Sequence, residues 1–418
     1  MTMTDTNTIA QTSEGVALDP RIPVLDLDPY ADEVIDNPYP FQKALRDAGP
    51  VVWLKQYGVY ATGHFETAQE AFSDETRFLC TAGVGLTDIR KPGSLRDKNP
   101  LMEVEPEIHR RVRSNMMKIM SPVALRGMRE RFDARADAIV DTVLQRGGFD
   151  AVHDLVEPYI LDVFPPTVGI TIDPETVLLF GDLNFNANGP FNDLYRGALA
   201  RVEKHLPAFE DSFRRENMIP GGMGAQMYEY EDKGLFDEGT AFAFVRVLFR
   251  GGFDTTIAGL GSALLQLSQQ PDTWAWLRAN PDRALLAFDE ALRHISPFRV
   301  SHRVTIPEGC ELAGVRLEGD QKMAIFMAAA NRDPRKWENP EAFDIHREGL
   351  NDHLAFGHGA HKCIGLLLAR YEAEALLKAM LRRIERLELA ADGAAANYKR
   401  INTLRTLAAL PVTAEEAA

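Results

Sequence analysis

The chain has 418 residues, 45% of them apolar and 26% charged, and this balance is typical of a globular protein with a large core. Its net charge of −15 argues against nucleic acid as a partner, because phosphate binding needs a basic surface. Three widely spaced cysteines without a C-x-x-C pair argue against a structural zinc site, a redox dithiol and disulfide cross-links.

The first twenty residues are polar and acidic, and they lack the basic start and apolar stretch of a signal peptide. We expect residues 1–20 to be a disordered leader and residues 21–418 to form a single domain. No apolar run is long enough to cross a bilayer. We therefore expect a soluble, cytoplasmic protein that binds no membrane.

The pattern of secondary structure is mainly helical with a minor β region. A short helix between prolines is predicted at 37–50, and two short strands at 51–62 are separated by a turn at Tyr57–Gly58. Helical periodicity runs from about 105 to 290, and 126–147 is an amphipathic segment that ends at glycine. Residues 305–327 read as short strands with glycine turns, and a polar, strand-like tail follows. The absence of a Pro/Ser-rich linker or a repeat favours one large domain.

Residues 240–270 contain no proline and predict a long helix of roughly 45 Å. Gly251 and Gly252 lie in its middle, where each costs about 1 kcal/mol relative to alanine. Close helix packing would explain two glycines alone. Asp254 and Thr255 follow them directly, however, and a threonine hydroxyl can disturb the backbone bonding of a helix.

Cys363 differs from the other two cysteines, which read as small buried hydrophobic residues. It immediately precedes a strong helix pattern, and a helix N-terminus lowers the pKa of a thiol towards thiolate. Such a thiolate is a nucleophile or a metal ligand. Gly357, Gly359 and Gly365 remove side chains around it, which favours a flat object such as a haem against the backbone.

The pattern Phe356-x-x-Gly359-x-x-x-Cys363-x-Gly365 resembles the haem-binding loop of the cytochrome P450 family. The resemblance implies the mainly α cytochrome P450 fold, with a long central helix over haem b and Cys363 as the axial ligand of its iron. The segment Glu290-x-x-Arg293, together with Arg347, resembles the buried ion-pair network of that family. Its role there is in folding rather than in chemistry.

The same resemblance assigns roles on the other side of the haem. Thr255 would orient dioxygen and its water, and Asp254 would relay protons so that one oxygen atom leaves as water. The haem propionates would be bound by four side chains at matching positions: His109, Arg113, Arg303 and His361.

Electrons would come from a separate protein, which by family analogy is a [2Fe–2S] ferredoxin with an NAD(P)H-dependent reductase. Five cations are candidates for a basic docking patch on this acidic protein: Arg110, Arg111, Lys118, Lys362 and Arg370. The alternative for each of them is ordinary solvated charge.

The substrate pocket is expected between the 81–103 loop, residues 185–193, the 246–255 helix face and residues 298–302. Its candidate lining residues are Phe185, Asn188, Arg250, Phe298, Val300 and Ser301. TAGVGLTDIRK and FNANGPFND resemble segments of bacterial members that oxidise para-substituted benzoates. A small aromatic or aliphatic acid, hydroxylated or O-demethylated, is therefore expected. Arg250, where serine is expected in that group, would bind the acid or else pair with Asp254.

Other functions remain open at this point. A neutral, terpenoid-like compound is an alternative substrate. A haem-thiolate protein without oxygenase activity, such as a dehydratase, a peroxygenase or a sensor, often lacks the Asp254–Thr255 pair. A cysteine enzyme without haem would need a general base near Cys363, for which His358 and His361 are available.

Overall fold

Helices dominate the computed structural model, which describes residues 16–92, 98–390 and 397–417. The α-helices are α1 Asp32–Asp36, α2 Tyr39–Ala48, α3 Phe65–Ser73, α4 Pro106–Ile119, α5 Pro122–Arg126, α6 Arg129–Leu144, α7 Glu157–Val168, α8 Pro174–Ala187, α9 Asp193–Val202, α10 Leu206–Asp211, α11 Met223–Asp232, α12 Ala241–Gly252, α13 Asp254–Ser268, α14 Pro271–Ala279, α15 Leu285–Ile295, α16 Met327–Ala330 and α17 Leu366–Arg383. A π-helical segment, Ala151–Val156, directly precedes α7.

The strands form a minor β region beside the helices. They are β1 Val24–Leu25, β2 Val52–Leu54, β3 Val59–Thr62, β4 Phe78–Leu79, β5 Gly148–Asp150, β6 Ser301–Thr305, β7 Cys310–Leu312, β8 Val315–Leu317, β9 Lys322–Ile325, β10 Ile384–Leu389, β11 Asn397–Tyr398, β12 Leu407–Ala409 and β13 Pro411–Glu416. The largest sheet has the order β1-β2-β3-β9-β6-β4. Its antiparallel β6–β9 pairing sets Arg303 opposite Met323.

The structure confirms the predicted elements of the first half of the chain. The helix expected between prolines is α2, the two strands around Tyr57–Gly58 are β2 and β3, and the amphipathic segment is α6. The predicted long helix is present as α12 and α13, which are separated at Phe253. This separation is the one departure from the predicted continuous helix.

The predicted leader is too long. Residues 1–15 lie outside the described residues, but residues 16–20 contact the β region. The Asp19 carboxylate accepts a hydrogen bond from the Arg316 amide at 3.1 Å, and Val16 and Leu18 pack against a buried apolar cluster. Among the described residues, no helix has both the length and the apolar character needed to span a membrane.

The helix α13 runs through the main core. All but two of its residues are buried, and it contacts α7, α15 and α17. Because α17 begins three residues after Cys363, the packing of α13 on α17 fixes the central helix relative to the cysteine loop.

An ion-pair network with a fully buried centre ties α15 to the segment that leads towards the cysteine. Arg293 donates to both oxygens of Glu290, at 2.7 and 2.8 Å, and neither side chain has exposed surface. Arg347 donates to Glu290 at 3.4 Å. Arg293 also donates to three backbone carbonyls, those of Asn331, Pro340 and Ala342, at 2.9 Å each.

Replacing Arg293 with methionine should destabilise the protein by about 3–5 kcal/mol, because the Glu290 carboxylate then stays buried without its main cation. Arg382→Met is the matched control. Arg382 pairs with Asp137 while both side chains are half exposed, so its loss should cost less than about 1 kcal/mol. Urea-unfolding midpoints measure both changes. Equal shifts in the two variants would contradict this role of the network.

Candidate active site

The two glycines at the end of α12, Gly251 and Gly252, are needed for different structural reasons. A Cβ on Gly252 would lie 2.1 Å from the Phe164 ring, so Gly252 permits close packing of α12 on α7. Gly251 is exposed, and apart from its chain neighbours and the backbone of its own helix, no atom of the described residues lies within 4 Å of the position its Cβ would take. The packing explanation therefore holds for Gly252, and the open groove predicted over a cofactor fits Gly251.

Threonine hydroxyls bind the last carbonyls of α12. Thr255 Oγ1 donates to the Gly251 carbonyl at 3.1 Å, and Thr256 Oγ1 donates to the Gly252 carbonyl at 3.0 Å. These contacts coincide with the break between α12 and α13, as expected for hydroxyls that compete with backbone bonding. Thr255 is the more accessible of the two threonines, and its hydroxyl contacts the exposed residue Gly251.

Asp254 is buried, and its carboxyl group packs against α8. A Cβ on Gly181 would lie 1.8 Å from Asp254 Oδ2, and this oxygen has no hydrogen-bond partner among the described residues. Burial raises the pKa of Asp254 well above its usual value, and the nearby Asp182 raises it further. Burial therefore favours the protonated form of this side chain, which is the form that donates a proton in a relay.

The cysteine loop lies directly before α17. The Cys363 amide donates to the Phe356 carbonyl at 2.7 Å, and the amides of Gly365 and Leu366 donate to the Cys363 sulfur. Cys363 is exposed, whereas Cys80 and Cys310 are buried. The thiol is thus accessible on one side, although protein encloses it closely on the others.

The amides at the start of α17 lower the pKa of Cys363, as the helix N-terminus predicts, but they do not decide the net direction for the thiol by itself. Burial raises its pKa, and this effect outweighs the opposing effects of the two amides and of Arg113. A bound metal ion reverses the balance, because a coordinating thiol is deprotonated outright.

Two glycines of the cysteine loop, Gly359 and Gly365, also differ in why a side chain is absent. Gly359 has φ +68°, and its Cβ would lie 2.7 Å from the Phe72 carbonyl, so it permits contact with α3 rather than with a cofactor. This corrects the predicted role of Gly359. A Cβ on Gly365 would have one near neighbour among the described residues, the Cys363 sulfur at 3.8 Å. Gly365 therefore fits the predicted cleared face.

The structure brings together the four predicted propionate-binding side chains. The rings of His109 and His361 are stacked with centroids 3.8 Å apart, and the charges of Arg113 and Arg303 act on both rings. Burial lowers the pKa of His109 to about 4 and that of His361 to about 2, so both are neutral at pH 7. Arg113 binds the Lys362 carbonyl, which ties α4 to the cysteine loop.

Three polar atoms in this group of side chains have no hydrogen-bond partner among the described residues. They are both ring nitrogens of buried His109 and Nδ1 of His361. Unsatisfied buried imidazoles are costly, and an anionic group between them and the two arginines would accept hydrogen bonds from the arginines and from the N–H of each ring. The residues present therefore fit a haem whose carboxylates lie here and whose iron faces Cys363. Sequence reasoning missed Glu75, which has a carboxylate oxygen within 4.8 Å of ring nitrogens of both histidines and also binds Arg110.

Three of the predicted pocket segments meet. The rings of Phe185 and Phe298 have centroids 5.8 Å apart and pack against Ala258 of α13. The Asn188 carbonyl accepts from the Leu86 amide at 2.9 Å, which joins the 81–103 loop to the end of α8. Residues 93–97 of that loop lie outside the described residues.

Two predicted pocket residues, Val300 and Ser301, pack within the β region and its neighbouring apolar cluster. Val300 belongs to a separate buried cluster with Tyr30, Phe41 and Leu86. Ser301 is buried in β6 opposite Ile325. Only Ser301 and His302 of the segment 298–302 belong to β6, and because side chains alternate along a strand, these two cannot both face one pocket.

The predicted pair between Arg250 and Asp254 is not what the structure shows. Arg250 contacts Glu210 of α10 at 3.3 Å, and Arg246 contacts the same carboxylate at 3.1 Å. The Arg250 guanidinium also lies 5.6 Å from the centre of the Phe209 ring. Sequence reasoning missed Glu210, since nothing in its local sequence links α10 to α12.

The predicted docking cations fall into two groups. Arg110, Arg111, Lys118 and Lys362 are exposed near the cysteine side, although Arg111 also pairs with Asp237 at 2.8 Å. Arg370 is different, because it binds buried Asp289 at 3.2 Å and Asn351 at 2.7 Å. Arg370 therefore anchors α17 to α15, which corrects its placement in the patch.

Comparisons with known proteins agree with this geometry. A sequence model of the family described as cytochrome P450 matches residues 198–393. Cytochrome P450 CYP199A2 of Rhodopseudomonas palustris is 38% identical over 94% of each chain, and the biotin biosynthesis cytochrome P450 of Bacillus subtilis is 28% identical over 92% of this chain and 98% of the relative. The solved structure of P450BioI with an acyl carrier protein ligated to hexadec-9Z-enoic acid has a TM-score of 0.80 at 25% identity, covering 92% of this chain and 99% of that one. CalO2 has a TM-score of 0.77 at 26% identity, covering 94% and 99%.

Replacing Cys363 with serine should abolish the strongly red-shifted Soret band of the reduced, carbon monoxide-bound protein, because this shift requires a thiolate on the iron. The controls are Cys80→Ser and Cys310→Ser, which change buried cysteines and should retain the band. A normal band in the Cys363 variant would show that another residue ligates the iron.

Proposed function

The chain belongs to the cytochrome P450 family, and from this premise we propose that it inserts one oxygen atom of O2 into a small carboxylic acid. The substrate class is an aromatic acid such as a para-substituted benzoate, which is hydroxylated or O-demethylated. The enzyme is a monooxygenase that binds haem b through a cysteine thiolate, and we assign Cys363 as that ligand. Electrons come from a separate [2Fe–2S] ferredoxin and its NAD(P)H-dependent reductase.

The observation that carries the acid proposal is the pair of arginines on α12. Arg246 and Arg250 lie one helical turn apart, and Arg250 is one turn before Asp254. Glu210 holds both guanidinium groups on the same side of α12, and the Phe209 ring lies beside Arg250. A guanidinium carries five N–H donors, so its contact with Glu210 does not exclude a substrate carboxylate.

The position of this cationic pair relative to the pocket supports the same substrate. Asn184 of α8 donates to the Arg250 carbonyl at 3.3 Å, so Arg250 lies beside the helix that carries Phe185. The Phe185 and Phe298 rings supply an apolar wall for an aromatic ring. A carboxylate held near Arg250 would direct the far end of such a molecule along the pocket towards Gly251 and Thr255.

The chemistry is divided between the cofactor and the chain. The thiolate-bound haem supplies the activation of O2. Thr255 offers a hydroxyl beside Gly251, and burial favours the protonated form of the neighbouring Asp254. The carboxylates of the haem would be held by His109, His361, Arg113 and Arg303.

The ferredoxin proposal rests on the surface of α4 and the cysteine loop. This surface contains three exposed apolar side chains, those of Ile108, Met117 and Val123. It also contains the exposed cations Arg111 and Lys118. A surface of this kind combines apolar contact area with the charge needed to steer an acidic partner.

Arg250→Leu should weaken the binding of para-substituted benzoates about tenfold or more and leave the binding of their methyl esters unchanged, because a charge-assisted bond to a carboxylate is lost. Titrations of the haem spin-state change measure both affinities. The control is Arg215→Leu, which removes another arginine paired with a carboxylate, Asp232. Equal affinity for acid and ester in the unmodified protein would refute the acid proposal.

Lys362→Glu should slow reduction by an acidic [2Fe–2S] ferredoxin about tenfold at low ionic strength, and the difference from the unmodified protein should shrink as salt is added. Lys204→Glu makes the same change at an exposed position beside α9 and should have little effect. Stopped-flow reduction under carbon monoxide measures these rates. If the two variants behave alike, ferredoxin docks elsewhere.

A further inference from the structure

The turn of the β11–β12 hairpin, residues 399–406, lies against the aromatic residues of the proposed pocket. Leu404 belongs to the same buried cluster as Phe185 and Ala258, and the Phe298 ring packs on this cluster. An isolated antiparallel bridge also pairs Phe298 with Leu404. The turn therefore contributes Leu404 to the apolar wall that packs against α13.

The hairpin itself gives this turn little order. Its strands, β11 and β12, form a two-stranded sheet, and within the described residues they pair at two positions with a register shift between them. An isolated two-stranded hairpin is marginally stable in water. The position of the turn therefore depends on what it contacts outside the hairpin.

Asn402 joins the turn to the end of α8 and to the start of α9. Its side-chain amide donates to the Asn186 carbonyl at 3.1 Å, and its backbone amide donates to Asn186 Oδ1 at 3.0 Å. Asn402 and Asn192 exchange hydrogen bonds between their side-chain amides, at 2.8 and 3.0 Å. Asn402 is fully buried. A buried amide whose hydrogen bonds are satisfied in this way specifies one arrangement of the segments that it joins.

Two further contacts bring the turn close to the same part of the chain. Thr403 Oγ1 donates to the Phe185 carbonyl at 2.6 Å, so the backbone of a wall residue is held directly. Gly189 permits the close approach, because a Cβ there would lie 2.6 Å from the Asn402 Cβ. The contacts between residues 402–403 and residues 185–192 form one unit, the asparagine joint.

We infer that Asn402 is a positioning residue of the pocket. Through the asparagine joint it fixes the side chains of Phe185, Phe298 and Leu404 relative to one another. A wall that is ordered before binding loses little freedom when a ligand arrives, so a flat aromatic molecule is held more tightly. Asn402 acts through these apolar side chains, since its own amide is engaged within the joint. The inference rests on the pocket assigned under the proposed function.

The first test is a titration of the ferric protein with 4-phenylimidazole and with imidazole, followed by the shift of the Soret band. Both probes bind haem iron through nitrogen, and neither carries a carboxylate. Asn402→Ala should weaken the binding of 4-phenylimidazole about tenfold, because its phenyl ring then has to order the wall. The binding of imidazole should not change, because imidazole has no substituent to contact the wall.

Asn280→Ala is the matched control for these titrations. It also removes a side-chain amide that donates to a backbone carbonyl, that of Trp276, but it does so at the end of α14. Both affinities should stay unchanged in this variant.

Asn192→Asp is a milder change in the same joint. It keeps the side-chain oxygen that accepts from the Tyr195 amide at 3.2 Å, and aspartate caps a helix as well as asparagine does. It loses the donor to Asn402 Oδ1. The binding of 4-phenylimidazole should weaken about threefold, as expected for the loss of one hydrogen bond, and that of imidazole should not change. This variant decides the question if Asn402→Ala does not fold.

The second test is turnover of a para-substituted benzoate. Asn402→Ala should raise KM about tenfold and change kcat by less than about twofold, because an ordered wall holds the substrate and the transition state alike. Asn280→Ala should match the unmodified protein.

The inference is overturned if Asn402→Ala binds 4-phenylimidazole like its control. It is also overturned if imidazole and 4-phenylimidazole weaken by the same factor, since that result indicates a general loss of structure at the haem. Selective loss of 4-phenylimidazole affinity, without benzoate binding in any variant, would support the joint and refute the acid substrate. The failure of the inference and the failure of the proposed function are therefore distinguishable.

Discussion

The position of the cysteine loop depends on how a single buried carboxylate, that of Glu290, is neutralised. Glu290 accepts from Arg293, from Arg347 and from the Asp344 amide at 2.9 Å, so charge and hydrogen-bonding capacity are satisfied together. Arg293 then fixes the backbone at Asn331. The Asn331 side chain in turn accepts from the Leu354 amide at 2.7 Å, at the start of the loop that contains Cys363. A network centred on two side chains without exposed surface, Glu290 and Arg293, therefore determines where Cys363 lies.

The second constraint is the contact between α13 and α17. Each helix begins at the site: α13 with Asp254 and Thr255, and α17 just after Cys363. Their packing in one core sets the distance between Cys363 and the residues proposed to handle protons. A change in this core would alter the chemistry without touching a catalytic side chain, because the two sides of the cofactor are attached to the same pair of helices.

The sequence predicted the features that lie within short motifs. The spacing around Cys363 and the Gly-Gly-x-Asp-Thr segment needed only local sequence and helix periodicity. Contacts between distant segments were not predictable. Glu210 contacts Arg250 across forty positions, and Lys399 contacts Glu157 across 242 positions. The direction of the Cys363 pKa was also mispredicted, because burial is a property of the fold and not of the motif.

The proposed division of labour is that the arginines of α12 bind an acid and the Asp254 carboxyl at the start of α13 serves oxygen activation. The most direct test is a reaction with a para-alkyl benzoate, the ferredoxin system and ¹⁸O2, with the product analysed by mass spectrometry. The account predicts a hydroxylated acid that carries one ¹⁸O atom from O2 and none from labelled water. A product without the label, or no oxidised product from a protein with a normal thiolate–carbon monoxide spectrum, would contradict it.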